Sequence, residues 1–410
     1  MKKIITILFS FLVSFSFASS SNAKEAEVIH WWTSGGEQAA ISKFAEAWQE
    51  MGNTWIDTAI TGGDAARSTT VNRIMGGNPP TAAQFNISKQ FVDLVEQGKL
   101  QSLEEVASAE GWRDFIYPKE LIDICEFDGE FYCVPVNIHS SQWFWTNTAV
   151  WKSINTPEPE TFEEFIAAAP KLRDAGVVPL ALGGQPWQEG LLFGVIFTSE
   201  GYDLVQAVQK DKNVEALRGD RFRSVLERYR ELQEWVDEGA PGRLWNDTTA
   251  MVVEGKAAMQ VMGDWARGEF AVAGKVPNKD YGCIIPGKKK YVGLGGDVFV
   301  FPKNDDPAVK AAQLEMASMM VNPTVQADFN NAKGSLPMRL DVDMSAADDC
   351  MKKGLELIRD PSAIMGDNDN WNTPDFTNSF DDIISEFRNN PGYTIEAVLD
   401  DLESLLTSGI

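Results

Sequence analysis

At three places in this 410-residue chain a short apolar run breaks into a polar turn and then into a helical pattern. Residues 28–32 open onto Thr33-Ser34-Gly35-Gly36-Glu37; Ile41, Phe44, Ala45 and Trp48 then recur at helical spacing, and Ser34 with Glu37 has the S-x-x-E form of a capping box. Residues 81–85 form the next run, followed by Asn86-Ile87-Ser88 and a helix through Phe91, Leu94 and Val95 that stops at Gly98. In the third, residues 161–164 cap a helix ending at Gly176, and the apolar residues 177–182 lead into Gly183-Gly184-Gln185-Pro186-Trp187. Such alternation predicts an α/β fold with mainly parallel sheets, in which ligands sit at the carboxyl ends of the strands.

Residues 1–23 read as a cleaved secretory signal: Lys2 and Lys3, an apolar run over 4–17, and Ser21-Asn22-Ala23 as a small-x-Ala cleavage site. The run is shorter than the roughly 20 apolar residues a membrane helix needs. An exported chain meets a compartment where disulfides persist. Its four cysteines permit three pairings; the Asp128-Gly129 turn signal favours Cys125 with Cys133, which leaves Cys283 with Cys350. A zinc site is disfavoured by the absence of CxxC spacing.

Composition narrows the function. With 36 Lys and Arg against 60 Asp and Glu the net charge is −24, and no basic stripe relieves it, so nucleic acid and anionic membranes are not expected partners. His30 and His139 are the only histidines, too few for a multi-His metal site, and His139 reads as a structural or hinge residue. GxSxG, Walker, GxGxxG and HExxH motifs are missing, so neither a catalytic site nor a cofactor is expected. A carboxylate pair for glycoside hydrolysis stays open among 60 acids, though no spacing singles one out.

Tryptophan outnumbers tyrosine, 13 to 7. Trp31 and Trp32 are adjacent at a strand end and must point to opposite faces, so one of them is expected in a cleft. Trp265 follows the strand over 257–262 in the same way, with Asp264 before it as a turn or cap residue. An indole face suits the apolar C–H face of a sugar, provided carboxylates and amides at the rim pair its hydroxyls. Glu37, Gln84, Asn86, Gln185, Asp297 and Lys333 are the candidates for that rim. Asp297 lies inside an apolar run, 292–301, and a carboxylate there demands hydrogen-bond partners. Residues 134–145 and 293–300 are candidate crossings between two lobes, and a cleft between lobes is a preferred ligand site.

His30-Trp31-Trp32-Thr33-Ser34-Gly35-Gly36-Glu37, Pro135-Val136-Asn137-Ile138-His139, residues 250–270 and Lys333-Gly334-Ser335-Leu336-Pro337 with Arg339 together resemble the periplasmic sugar-binding proteins of ABC importers. The likeness is to the glucose- and mannose-binding branch and spans the mature chain. It implies a two-lobed periplasmic-binding-protein fold with a ligand cleft, the lobes being 24–137 plus 297–345 and 138–296 plus 346–410. It also implies stacking by Trp31, Trp32 and Trp265 and polar contacts from Glu37, Gln84, Asp297 and Lys333. The chain departs from that pattern at Asn86, where relatives carry Lys or His, and near Asp369, the best match to a sugar-contacting His; both put glucose in doubt. Trp371 is expected to add a stacking face. The function implied is a monomeric, non-enzymatic receptor that delivers a mono- or small oligosaccharide to membrane permease subunits, against the alternative of an exported carbohydrate-active hydrolase or lyase.

Overall fold

A computed structural model describes residues 23–409 apart from Lys288 and Asp367. The expected export signal, but for Ala23, lies outside the described residues.

The main strands are β1 (Glu25–His30), β2 (Thr54–Ala59), β3 (Ala82–Asn86), β4 (Cys133–Pro135), β5 (Trp143–Asn147), β6 (Val178–Ala181), β7 (Ala257–Met262), β8 (Tyr281–Ile284) and β9 (Asp297–Val300). They build a five-stranded sheet in the order β2-β1-β3-β9-β4 and a four-stranded sheet in the order β8-β5-β7-β6. β1 pairs in parallel with β2 and β3, and β6 with β7.

The sheets are more mixed than the sequence suggests. β9 runs antiparallel to β3 and β4, and β5 antiparallel to β7 and β8. The reason is where the chain re-enters each sheet. Asp297, the first residue of β9, sits opposite Asn86, the last of β3, and Trp143, the first of β5, sits opposite Met262, the last of β7. A strand that begins at the end where its neighbours finish must run the other way.

Helices fix the strand ends. α1 (Gly35–Glu50) starts on a complete capping box of Ser34 and Glu37. α2 (Gly63–Met75) follows Gly62, whose φ of 93° suits glycine. α3 (Pro186–Ser199) begins with proline in its first turn, where no donor is lost. α4 (Ala266–Val272) follows β7 directly. α5 (Pro323–Lys333) is capped by Asn322 and ends at Gly334 in the left-handed region. α6 (Pro374–Asn389) is capped by Thr373.

One apolar core packs Trp48, Phe85, Phe299 and Phe329 around the first sheet, and Val292, Leu294 and Ile358 join it. Another packs Phe144, Phe193, Tyr229 and Phe387 against the second sheet. A smaller cluster holds Trp145, Phe270 and Tyr281 next to a disulfide between Cys283 and Cys350. The other disulfide joins Cys125 and Cys133 across the Asp128-Gly129 turn, so the pair that the turn favours forms, and so does the pair left over.

Candidate functional site

Between the two sheets lies a cavity of about 680 Å³, within the usual range for small-molecule sites. The first-sheet side presents Trp31, Glu37 and Arg67, the crossings present His139 and Gly296, and the second-sheet side presents Trp187 and Trp265.

Asp297 is the polar centre. It is fully buried at the cavity wall, and its Oδ1 accepts from Gln84 Nε2 at 2.7 Å. Its Oδ2 accepts from Asn137 Nδ2 at 2.9 Å and from His139 Nε2 at 2.8 Å, with Lys333 Nζ at 3.8 Å. Burial works to raise the pKa of this carboxyl, yet His139 and Lys333 beside it, with the hydrogen bonds of His139 and Asn137, hold it well below the usual carboxylate range. Burial pulls the pKa of His139 below its ordinary value, and the neighbouring Asp297 carboxylate opposes that shift. Gly296 makes room for the group: a Cβ there would lie 2.5 Å from the Asn137 carbonyl oxygen, and its φ is 150°.

Gln84 departs from its expected place on the rim. It is 1% exposed, its amide nitrogen is given to Asp297, and its Oε1 accepts from Trp31 N at 3.0 Å. It stands behind the wall and positions two residues that form it, because a strand residue one step further from the strand end sits deeper in the sheet.

The two adjacent tryptophans divide as strand alternation requires. Trp31 is half-buried and borders the cavity, with the Arg67 guanidinium 5.4 Å from its ring centroid. Trp32 is 1% exposed; its ring meets Phe299 and Phe329, and Lys333 Nζ lies 4.8 Å from its centroid. Trp32 therefore borders the cavity with its ring already packed, and is a floor more than a free stacking face. Trp265 is half-buried on the opposite wall, 4.8 Å from the His139 ring and 6.3 Å from Trp187. Trp371 does not border the cavity; it packs near Tyr202 with Lys210 Nζ 5.7 Å from its centroid, because Gly366 and Tyr202 give it a different niche.

Among the remaining candidates, Glu37 closes the capping box, its Oε2 accepting from Thr33 N and Ser34 N at 3.2 Å each, while also bordering the cavity. Burial raises its pKa, with Lys333 opposing. Asn86 borders the cavity at the end of β3, and its Oδ1 accepts from Arg67 Nη1 at 3.0 Å. Gln185 borders it beside α3, accepting from Gln188 Nε2 at 2.8 Å, and Asp369 lies on the same wall as Asn368. Asp264 is a buried turn residue whose Oδ2 accepts from Ser140 N at 2.9 Å.

Sequence reasoning missed Arg67 and Trp187, and it read His139 as a structural or hinge residue with no place at the cavity. Arg67 supplies donors beside Asn86, where relatives are expected to carry a cation on the strand itself. Its signal is a Gly62-Gly63 turn followed by Asp64-x-x-Arg67, one more strand–turn–helix unit; Arg67 also pairs with Asp64.

The sequence matches the family of bacterial extracellular solute-binding proteins over residues 39–353. The chain belongs to this family. It is similar to a "Probable sugar-binding periplasmic protein" of Rhizobium meliloti, 38% identical over 87% of this chain and 86% of that one. A protein of the same name from Brucella melitensis is 39% identical over 84% and 82%. Among solved structures, a "Chitin oligosaccharide binding protein" superposes with a TM-score of 0.76 at 19% identity, covering 93% of this chain and 98% of that chain. The solute-binding protein RafE in complex with raffinose superposes at 0.71 and 14%, covering 94% and 99%. At such identities the likeness is one of fold, the two-lobed architecture of solute-binding proteins.

Proposed function

We propose that this member of the solute-binding family is the periplasmic receptor of an ABC-type sugar importer. It receives a mono- or small oligosaccharide between two lobes, 24–137 plus 297–345 and 138–296 plus 346–410, and hands it to the membrane permease subunits. The observation that carries this reading is the pairing of half-buried indoles on opposing walls, Trp31 and Trp265, with a buried, hydrogen-bonded centre at Asp297 between them. Such a site stacks a sugar ring and reads its hydroxyls in one step. The names of the curated relatives point the same way.

Ligand contacts from Trp31, Glu37, Asn86, Gln185, Trp265, Asp297, Lys333 and Asp369 come from both lobes, so a bound sugar favours the closed arrangement. Moving the lobes from 1:99 to 99:1 closed takes about 5.5 kcal/mol of differential affinity. The chain works as a monomer, after removal of residues 1–23, and performs no chemistry on its ligand. Its carboxylates at the centre are engaged already, Asp297 by Gln84, Asn137 and His139, and Glu37 by the start of α1.

A panel of monosaccharides and disaccharides tested by thermal shift and product analysis checks the reading. The expected result is stabilisation by a small group of sugars, no product, and binding weakened about tenfold in Trp265→Ala. Turnover of any sugar, or no stabilisation by any of them, overturns it.

A further inference from the structure

Arg67 stands in the second turn of α2 and turns away from its neighbours. Asp64, Ala65 and Ser68 are exposed, whereas the Arg67 side chain is 20% exposed and borders the cavity. Three contacts fix it there. Nη1 donates to Asn86 Oδ1 at 3.0 Å, Nη2 donates to the Asp64 carboxylate, and the guanidinium carbon lies 5.4 Å from the centroid of the Trp31 ring. A Cβ on Gly63 would lie 2.8 Å from Nη1 and 3.6 Å from Trp31 Cδ2, so glycine leaves open the place that the guanidinium takes beside the indole. A surface ion pair three residues apart on a helix needs neither Asn86 nor that glycine, and in water it contributes little. A guanidinium carries five N–H donors in a fixed fork, and the two hydrogen bonds leave three of them without an acceptor among the described residues. The confinement of Asp369 raises the pKa of its carboxyl and the Arg67 guanidinium opposes the rise, so the charge of Arg67 reaches a second residue of the cavity wall.

We propose that Arg67 touches the ligand, reading two adjacent hydroxyls at the Trp31 end of the cavity, and that the protein takes neutral sugars carrying that pair and rejects uronic acids. The inference rests on the sugar-binding reading above and adds a contact and a class of sugar to it. Closing the site over a ligand removes water from the fork, and charged donors left unpaired cost more than neutral ones, so the ligand has to supply acceptors. Neighbouring ring hydroxyls present two oxygens side by side, which suits two N–H groups of one plane. Their hydrogens find acceptors at the same end in Asp369 and in the second lone pair of Asn86 Oδ1. A carboxylate also fits a fork, but here the charge is already met: Asp64 holds one edge of the guanidinium, and Lys333 is engaged by Asp297. With Asp297 and Asp369 bordering the same cavity, a uronate meets repulsion that a neutral diol does not.

Calorimetry on the parent protein and Arg67→Met tests this with glucose, galactose, mannose and N-acetylglucosamine, the deoxy forms of each, glucuronate and galacturonate. For the sugar that binds, Arg67→Met is expected to weaken binding roughly tenfold to hundredfold. In the parent protein the deoxy forms at two adjacent positions are expected to lose affinity, and in Arg67→Met the same two are expected to lose less than about twofold more, because the contact is already gone. The uronates are expected to bind at least about tenfold more weakly than the matching hexoses. A purely structural Arg67 gives the opposite pattern, in which the variant weakens every deoxy form by the same factor as the whole sugar. That result, an unchanged affinity in Arg67→Met, or a uronate that binds tighter than its hexose overturns the proposal. Gly63→Ala, which pushes Nη1 aside and keeps the cation, gives the same pattern on a smaller scale if the methionine variant does not fold. A parent protein that binds none of these sugars overturns the sugar reading and this inference with it, whereas a parent protein that binds one as tightly as Arg67→Met does removes this inference alone.

Discussion

Glu269 Oε1 accepts a 2.7 Å hydrogen bond from the backbone N–H of Gly36, so α4 of the second-sheet half caps α1 of the first. The carboxylate meets the positive end of the α1 dipole at a donor with no partner inside its own helix. The backbones touch at the same point: a Cβ on Gly36 would lie 2.7 Å from the Gly268 carbonyl carbon. Glu269→Ala is expected to lower stability by roughly 1.5–3 kcal/mol, the value of a hydrogen bond to a charged group. Gly36→Ala is expected to cost about 1–3 kcal/mol by forcing the two helices apart. Urea unfolding of both variants checks this; a Glu269→Ala midpoint equal to that of the parent protein would mean the cap contributes nothing.

Asp297 and Lys333 depend on each other, since Lys333 is 2% exposed and Asp297 is the carboxylate found within ion-pair distance of it. Asp297→Asn is expected to destabilise the fold by about 3–5 kcal/mol, because it leaves a buried charge without that partner. Asp297→Asn combined with Lys333→Met should recover part of the loss. The sign with pH follows from the depressed Asp297 carboxyl. Its stabilisation is present above the unfolded value of about 3.9 and is lost as pH falls below it toward the folded value. A single variant that melts with the parent, or a double variant weaker than the sum of its parts, would contradict the pairing.

The parts of this site that sequence shows and those it hides differ in a physical way. Trp31 and Trp32 could be divided between cleft and core because strand alternation is a local rule. Asp297 could be marked because an acid inside an apolar run must find partners. That His139 is one of those partners depends on residues 139 and 297 meeting at the crossings, which no local rule supplies. β2 escaped notice altogether: it is an edge strand whose residues are exposed or half-buried, so it leaves no apolar run in the sequence, and α2 with Arg67 was lost with it. The antiparallel direction of β5 and β9 was likewise invisible, although both lie in or next to stretches that read as extended, because a strand's direction is set by where the chain enters the sheet and not by its composition.

Asp264 is the reverse case of Asp297. Ser140 N–H reaches its Oδ2, its Oδ1 has no hydrogen-bond partner among the described residues, and burial raises its pKa well above the usual range. A folded pKa above the unfolded one means the folded state binds more protons, so stability falls as pH rises from about 4 toward the folded value. Asp264→Asn keeps the acceptor for Ser140 and removes the titration. Its stability is expected to change less than the parent's between about pH 5 and pH 8, and to equal or exceed it at the upper end. Glu37, shifted in the same direction, is present in both proteins and cancels in the comparison. Urea midpoints taken across that range decide it; parallel curves would show that Asp264 does not titrate in this way.

The two disulfides close loops of very different length, with separations of 67 residues for Cys283 and Cys350 and 8 for Cys125 and Cys133. On a loop-entropy account the longer closure stabilises by about 4 kcal/mol and the shorter by about 2.5 kcal/mol. The longer one also ties β8 to the helix Asp349–Leu357, which follows the return of the chain from the first sheet, and Lys353 Nζ donates to the Cys283 carbonyl at 2.6 Å beside it. Replacing Cys283 and Cys350 by serine is therefore expected to cost more than replacing Cys125 and Cys133, and to loosen the second-sheet end of the cavity where Trp265 and α4 stand. Paired urea titrations of the two double variants, with sugar binding measured at low denaturant, test both halves of this expectation. An equal loss of stability would remove loop length as the cause. Unchanged sugar affinity in the Cys283 and Cys350 variant would show that this staple does not support the site.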